Sequence, residues 1–155
     1  MVAIDVRLRE NVDMDVSIGP EQLANELIDS ADADWLRELV DALDRRVRTE
    51  PLRRLTALWD LSNAAAARMF GVSRQAFSKW LAKGPPADRV DDVTAVDDIT
   101  TLLDRYVKRE RIPAVVRRQS PRLGDASILE RLESGDYEET AKAVRSMFDL
   151  RRVQP

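Results

Sequence analysis

Apolar residues alternate strictly with polar ones at Val2, Ile4, Val6 and Leu8, and again, after Arg9-Glu10-Asn11, at Val12, Met14, Val16 and Ile18. A period of two predicts a pair of short strands with a tight turn, a β-hairpin. An isolated hairpin is only marginally stable, so its apolar face must lie on helices of the same chain or pair with a second copy, as a unit or strand by strand. Either arrangement satisfies the pattern, and the second makes residues 1–49 a dimerisation element.

The period then changes to that of a helix. Gly19 ends the strands and Pro20 suits a first helical position, with Leu23, Leu27 and Ile28 on one face up to about Ser30. Asp32 or Asp34 can cap a second helix, in which Trp35, Leu36, Leu39, Val40, Leu43 and Val47 form a wide apolar stripe. Arg45, Arg46 and Arg48 gather near its expected end, where they would favour the negative pole of the helix dipole or touch phosphates. Pro51 is expected to start a third helix carrying Leu52, Leu55, Leu58, Trp59 and Leu61.

The most informative stretch is residues 63–81, two short helical patterns joined across Gly71. Ser62 or Asn63 can cap the first, whose alanines let another helix approach closely, and Gly71 supplies the positive φ of a sharp turn. Ser73 can cap the second, in which Phe77, Trp80 and Leu81 recur as a buried stripe while Arg74, Gln75, Ser78 and Lys79 make the opposite face polar. Arg and Gln can make bidentate contacts to guanine and adenine edges in the major groove, and Ser and Lys suit phosphate oxygens. The pattern is a helix-turn-helix spanning a core at residues 50–84, with Arg74, Gln75 and Ser78 as base readers. Ser73 and Lys79, with Asn63 and Arg68 of the first helix, are the phosphate or mixed contacts. An ordinary helical hairpin with a polar face would not need the alanine, the glycine and this quartet together. Trp59 and Trp80 fall on apolar stripes and read as core anchors rather than base-stacking residues.

Gly84-Pro85-Pro86 stops that helix and opens a C-terminal helical region, residues 85–155. Its first helix is acidic, with Asp88, Asp91, Asp92, Asp97, Asp98 and Asp104 against the single Arg89, and Val90, Val93, Val96, Ile99, Leu102, Leu103 and Tyr106 expected inward. The spacing and glycine of a calcium loop are missing, so no metal or other cofactor is expected. Lys108, Arg109, Arg111, Arg117 and Arg118 form a second basic cluster, an auxiliary phosphate contact or a solvated helix end. After Leu123-Gly124 come a short helix with Ile128, Leu129 and Leu132, the pair Ser134-Gly135, and a last helix expected to start in a capping box of Asp136 and Glu139.

Composition narrows the function classes. The chain has 155 residues, 44% apolar and 34% charged, enough for one good core and appended elements. No apolar run could span a bilayer and the N-terminus lacks the order of a signal peptide, so a cytoplasmic protein without membrane contact is expected. With neither Cys nor His, the commonest metal ligands and general base are missing, and an enzyme is not expected. Net charge is −3, but it is unevenly spread: residues 44–83 hold nine cations against three anions, and residues 1–43 eleven anions against three cations. A basic segment beside an acidic one suits a phosphate-binding module with a partner-binding flank, although the flank also reads as plain solvated surface.

Residues 63–81 resemble the helix-turn-helix of the Xre/Cro family, through Ala67, Gly71, Val72, Phe77 and Trp80. Further on, Leu123-Gly124, Ile128-Leu129, Leu132, Gly135 and Val144 follow the order of the toxin-binding half of Xre/MbcA/ParS-type antitoxins, more loosely. That family's usual tryptophan before the Leu-Gly turn is absent, and Ala126-Ser127 replace a common Ser-Pro pair. The resemblance implies a mostly α fold, a homodimer on a double-stranded DNA operator, and an antitoxin that binds a cognate toxin through its C-terminal region and represses its own operon. Two alternatives stay open: a phage-type repressor whose C-terminal helices only dimerise, and a protein-interaction module with a helix-turn-helix core not used on DNA.

Overall fold

The computed structural model describes residues 19–149, and the expected N-terminal strands lie outside the described residues. What is described is mostly helical. In chain order come α1 (Pro20–Ser30), α2 (Ala33–Trp59), α3 (Asn63–Met69), α4 (Arg74–Lys83), α5 (Val90–Tyr106), α6 (Ile112–Arg117), α7 (Ile128–Glu133) and α8 (Tyr137–Asp149). Short 3-10 turns precede α5 and α6, and a third at Pro121–Leu123 leads into the left-handed Gly124. The described residues contain no strand, only an isolated bridge between Ser120 and Ala126. No described helix is long and apolar enough to cross a membrane.

The chain divides into two compact units, Met1–Ala42 and Leu43–Pro155. Of the first, α1 and the start of α2 are described. Pro20 takes the first turn of α1, where a missing N–H leaves nothing unpaired. Asp32 caps α2 by accepting from the Asp34 and Trp35 N–H groups at 3.0 and 2.9 Å. The apolar stripe of α2 is not a buried face: Trp35 and Val40 are 45% and 62% exposed, and in the second unit Leu43 and Val47 are 54% and 71% exposed.

Pro51 does not start a helix; it lies inside α2, which runs unbroken to Trp59. Its fixed φ suits helical geometry, and its missing N–H costs α2 the bond to the Val47 carbonyl. Downstream, Leu52, Leu55 and Trp59 are essentially fully buried, and this burial anchors the C-terminal half of the same helix. Arg45, Arg46 and Arg48 consequently sit mid-helix, away from the negative pole expected for them.

The core of the second unit runs through α2, α3, α4, α5, α6, α7 and α8, and the largest fully buried side chains include Trp59, Phe70, Phe77, Ile99, Ile112 and Leu132. α5 and α8 form the most extensive helix pair, and α7 packs on both α3 and α6. The C-terminal elements therefore share one core with α3 and α4.

Several ends are closed by side chains from elsewhere in the sequence. Arg117 donates to the carbonyls of Trp59 and Asp60 at 2.9 Å each, capping the C-terminus of α2. Arg109 pairs with Asp104 at 2.9 Å, so two members of the second basic cluster hold structure. The capping box forms on α7 instead of α8: Ser127 accepts from the Glu130 N–H at 3.1 Å while the Glu130 carboxylate accepts from the Ser127 N–H at 2.6 Å. Asp136 faces Arg131 at 3.6 Å and Glu139 faces Lys142 at 3.1 Å.

Candidate nucleic-acid interface

The connection between α3 and α4 follows from its residues. Ser62 caps α3, accepting from the Ala65 N–H at 3.2 Å. At the other end Val72 N–H bonds the Ala67 carbonyl and Gly71 N–H bonds the Arg68 carbonyl, both at 2.9 Å. This is the Schellman closure, and it needs the left-handed φ of +63° that Gly71 adopts. Ser73 then caps α4 through the Ala76 N–H at 3.1 Å. Ala66 and Ala67 are buried, the small side chains letting neighbouring elements approach α3 closely.

The underside of α4 is fixed by aromatic packing. Phe70 stacks on Phe77 at 6.0 Å, meets the Trp80 edge at 5.6 Å, and stacks on Tyr137 of α8 at 5.9 Å. Arg89 lies over the rings of Trp80 and Tyr137 at 5.7 and 6.0 Å, donates to the Phe70 carbonyl, and pairs with Asp92 at 3.2 Å. The Tyr137 hydroxyl donates to the Met69 carbonyl at 3.0 Å. Two carbonyls at the end of α3 are thus held by Arg89, which precedes α5, and by Tyr137 of α8.

Burial pushes the Tyr137 phenol above its ordinary pKa, with the nearby Arg89 pulling the other way. Because the folded protein holds this proton more tightly than the unfolded chain, the associated stability is complete below about pH 10 and lost as pH rises through the higher folded value. Thermal midpoints between pH 8 and 11.5 should therefore fall more steeply for the native chain than for Tyr137→Phe. Parallel curves would remove Tyr137 from this role.

The far end of α4 is latched to α2. Arg53 donates to the Leu81 carbonyl at 3.0 Å and Arg48 to the Pro85 carbonyl at 2.9 Å, while Arg54 pairs with Asp97 of α5 at 2.9 Å. Gly84 adopts φ +89°, and a Cβ there would stand 2.7 Å from the Arg48 Cβ. Gly84→Ala combines a strained backbone with a steric overlap and should cost about 1–3 kcal/mol. A urea midpoint equal to the native one would contradict that close approach.

With its underside and both ends held, α4 presents Arg74, Gln75, Ser78 and Lys79 to solvent, all exposed, beside the exposed cap Ser73. On α3, Asn63 and Arg68 are exposed as well. The Ser73 oxygen already accepts from Ala76, which leaves its hydroxyl hydrogen to donate outward. Between Asp60 and Asp88 the chain carries Arg68, Arg74, Lys79 and Lys83 and no carboxylate. None of these four side chains has an ion pair or hydrogen bond among the described residues. Lys83, in the last turn of α4, joins the site residues read from the sequence; the carboxylate-free run that contains it was the available signal.

The basic surplus of residues 44–83 is less available than its count suggests. Arg48 and Arg53 spend donors on backbone carbonyls, and the charge of Arg54 is matched by Asp97. Of the six cations of this segment left without a partner among the described residues, Arg68, Arg74, Lys79 and Lys83 lie on α3 and α4, and Arg45 and Arg46 on α2. No family model, curated protein or solved structure matches this chain.

Proposed function

We propose that the chain is a sequence-specific double-stranded DNA-binding transcriptional regulator, with α3 and α4 as its helix-turn-helix and α4 as the recognition helix. One observation carries the reading: a firmly supported helix turns an exposed, carboxylate-free face of Arg74, Gln75, Ser78 and Lys79 to solvent from its first turn onward. Groove-reading residues occupy that N-terminal part of a recognition helix. Arg74 and Gln75 read base edges, with Ser78 beside them, while Lys79, Ser73, Asn63 and Arg68 bind phosphates. A dimer would present two such helices to half-sites about 34 Å apart.

Within this reading the protein acts as a repressor and, further, as an antitoxin. Support for the latter is the succession of α6, the Leu123-Gly124 turn, α7, Gly135 and α8, in the order found in the C-terminal half of Xre/MbcA/ParS-type antitoxins. Co-purification of the chain with the product of a neighbouring gene, lost on substitutions in α7 or α8, tests that role; no retained partner leaves a plain repressor.

Salt dependence tests the DNA reading itself. Neutralising phosphates releases counterions, so affinity for a mixed-sequence duplex should fall with salt with a log–log slope on the order of −3 to −4 per bound subunit, for about four contacting cations. Absence of duplex binding at 50 mM salt would favour an interaction module that does not use this face on DNA.

A further inference from the structure

The second basic cluster is divided by its surroundings. Arg109 is matched by Asp104, while Arg117 donates to the Trp59 and Asp60 carbonyls at 2.9 Å each and to the Pro113 carbonyl at 2.7 Å. Those bonds pin the C-terminal end of α6 to the junction that leads into α3, at a point three residues before Asn63. α7 packs on both α3 and α6. The loop between α6 and α7 therefore borders the first helix of the α3–α4 pair.

That loop is tightly closed. The Ser120 N–H donates to the Ala126 carbonyl at 3.1 Å, the Ser120 carbonyl accepts from the Leu123 and Asp125 N–H groups at 2.9 and 3.0 Å, and Gly124 takes a left-handed φ of +70°. Arg118 opens the loop and Arg122 lies in its 3-10 turn, and both are exposed. Between Glu110 and Asp125 the sequence holds four arginines and no carboxylate. Among the described residues neither Arg118 nor Arg122 has an ion pair or side-chain hydrogen bond, and the donors of Arg117 go to neutral carbonyls. Three positive charges held this way without a carboxylate repel one another, and their summed field attracts a polyanion.

We infer that Arg118 and Arg122 form a second set of DNA backbone contacts, binding phosphates next to those reached from the start of α3. In a helix-turn-helix complex the first helix crosses the sugar–phosphate backbone while the second enters the groove, so cations bordering the first helix meet phosphates rather than base edges. The loop then adds affinity without adding sequence preference. This role rests on the DNA reading of α4 and extends it to an element outside the helix-turn-helix.

Affinity of the full chain for a duplex of about 30 base pairs should fall with salt with a log–log slope of about −5 per bound subunit, steeper than the −3 to −4 of the α3 and α4 cations alone. Arg118→Ala with Arg122→Ala should make that slope shallower by about two and weaken preferred and scrambled duplexes alike, by about tenfold at 0.1 M salt. Both side chains are exposed, so the circular-dichroism melt should not move. Arg118→Lys with Arg122→Lys should keep the native slope, since a phosphate contact of this kind needs the charge and not the guanidinium fork. An alanine double variant with the native slope overturns the proposal, as does a loss that changes the preferred sequence or a lysine double variant that behaves like the alanine one. A native chain that binds no duplex at about 50 mM salt overturns the DNA reading and this role with it. A chain that loses its preferred sequence with Arg74→Ala and Gln75→Ala, but keeps its slope with Arg118→Ala and Arg122→Ala, overturns this role alone.

Discussion

Phe70→Ala should destabilise the protein by about 3–5 kcal/mol, the cost of emptying a fully buried aromatic site. The ring is the common neighbour of Phe77, Trp80 and Tyr137, at 5.6 to 6.0 Å, so one truncation removes contacts to α4 and α8 together. Each aromatic pair adds about 0.5–1.5 kcal/mol beyond area burial. The backbone latches from Arg89 and Tyr137 to the end of α3 do not involve the Phe70 ring and survive the change. Urea denaturation followed by circular dichroism measures the effect as a lower midpoint at constant slope. A loss below about 1 kcal/mol would mean that α4 is not held by this cluster.

The second large effect is on binding. On the proposed reading, Arg74→Ala and Gln75→Ala would each remove a bidentate base contact worth about 1–3 kcal/mol, so the double variant should bind its preferred duplex roughly 30-fold to 10⁴-fold more weakly. Both side chains are exposed and outside the core, so stability should change by no more than about 0.5 kcal/mol. Loss of affinity at constant stability separates a reading role from a folding role. Lys79→Ala should instead weaken all duplexes alike and reduce the salt slope by about one, the signature of a phosphate contact. Retained affinity and sequence preference in the Arg74/Gln75 double variant would remove α4 as the reading element.

Much of the α3–α4 region is legible in the sequence because its determinants are local. Ser62 and Ser73 cap within three residues of themselves, and Gly71 closes α3 with bonds reaching back three and five residues. The stripe of Phe77 and Trp80, with Trp59 on α2, identifies core residues by period alone, and all three are buried. What pattern could not supply is partnership at a distance. Arg117 caps a helix that ends 58 residues earlier, and Arg53 holds a carbonyl 28 residues later, yet in the sequence both are simply cations. Pro51 misled for a different reason: a proline suited to a first helical turn is equally compatible with a continuing helix when burial on its far side outweighs one lost hydrogen bond. The Ser127–Glu130 capping box has the required spacing in plain view; Asp136 and Glu139 share that spacing at the next helix, where their carboxylates lie beside Arg131 and Lys142.

The central claim is that α4 reads DNA. Selection of bound duplexes from a randomised pool by the full chain tests it most directly. The expected result is one enriched motif, palindromic with half-sites about 10 base pairs apart for a symmetric dimer, whose enrichment disappears with the Arg74→Ala, Gln75→Ala double variant. A pool that stays random with the native chain, or a motif that the double variant enriches equally well, would contradict it.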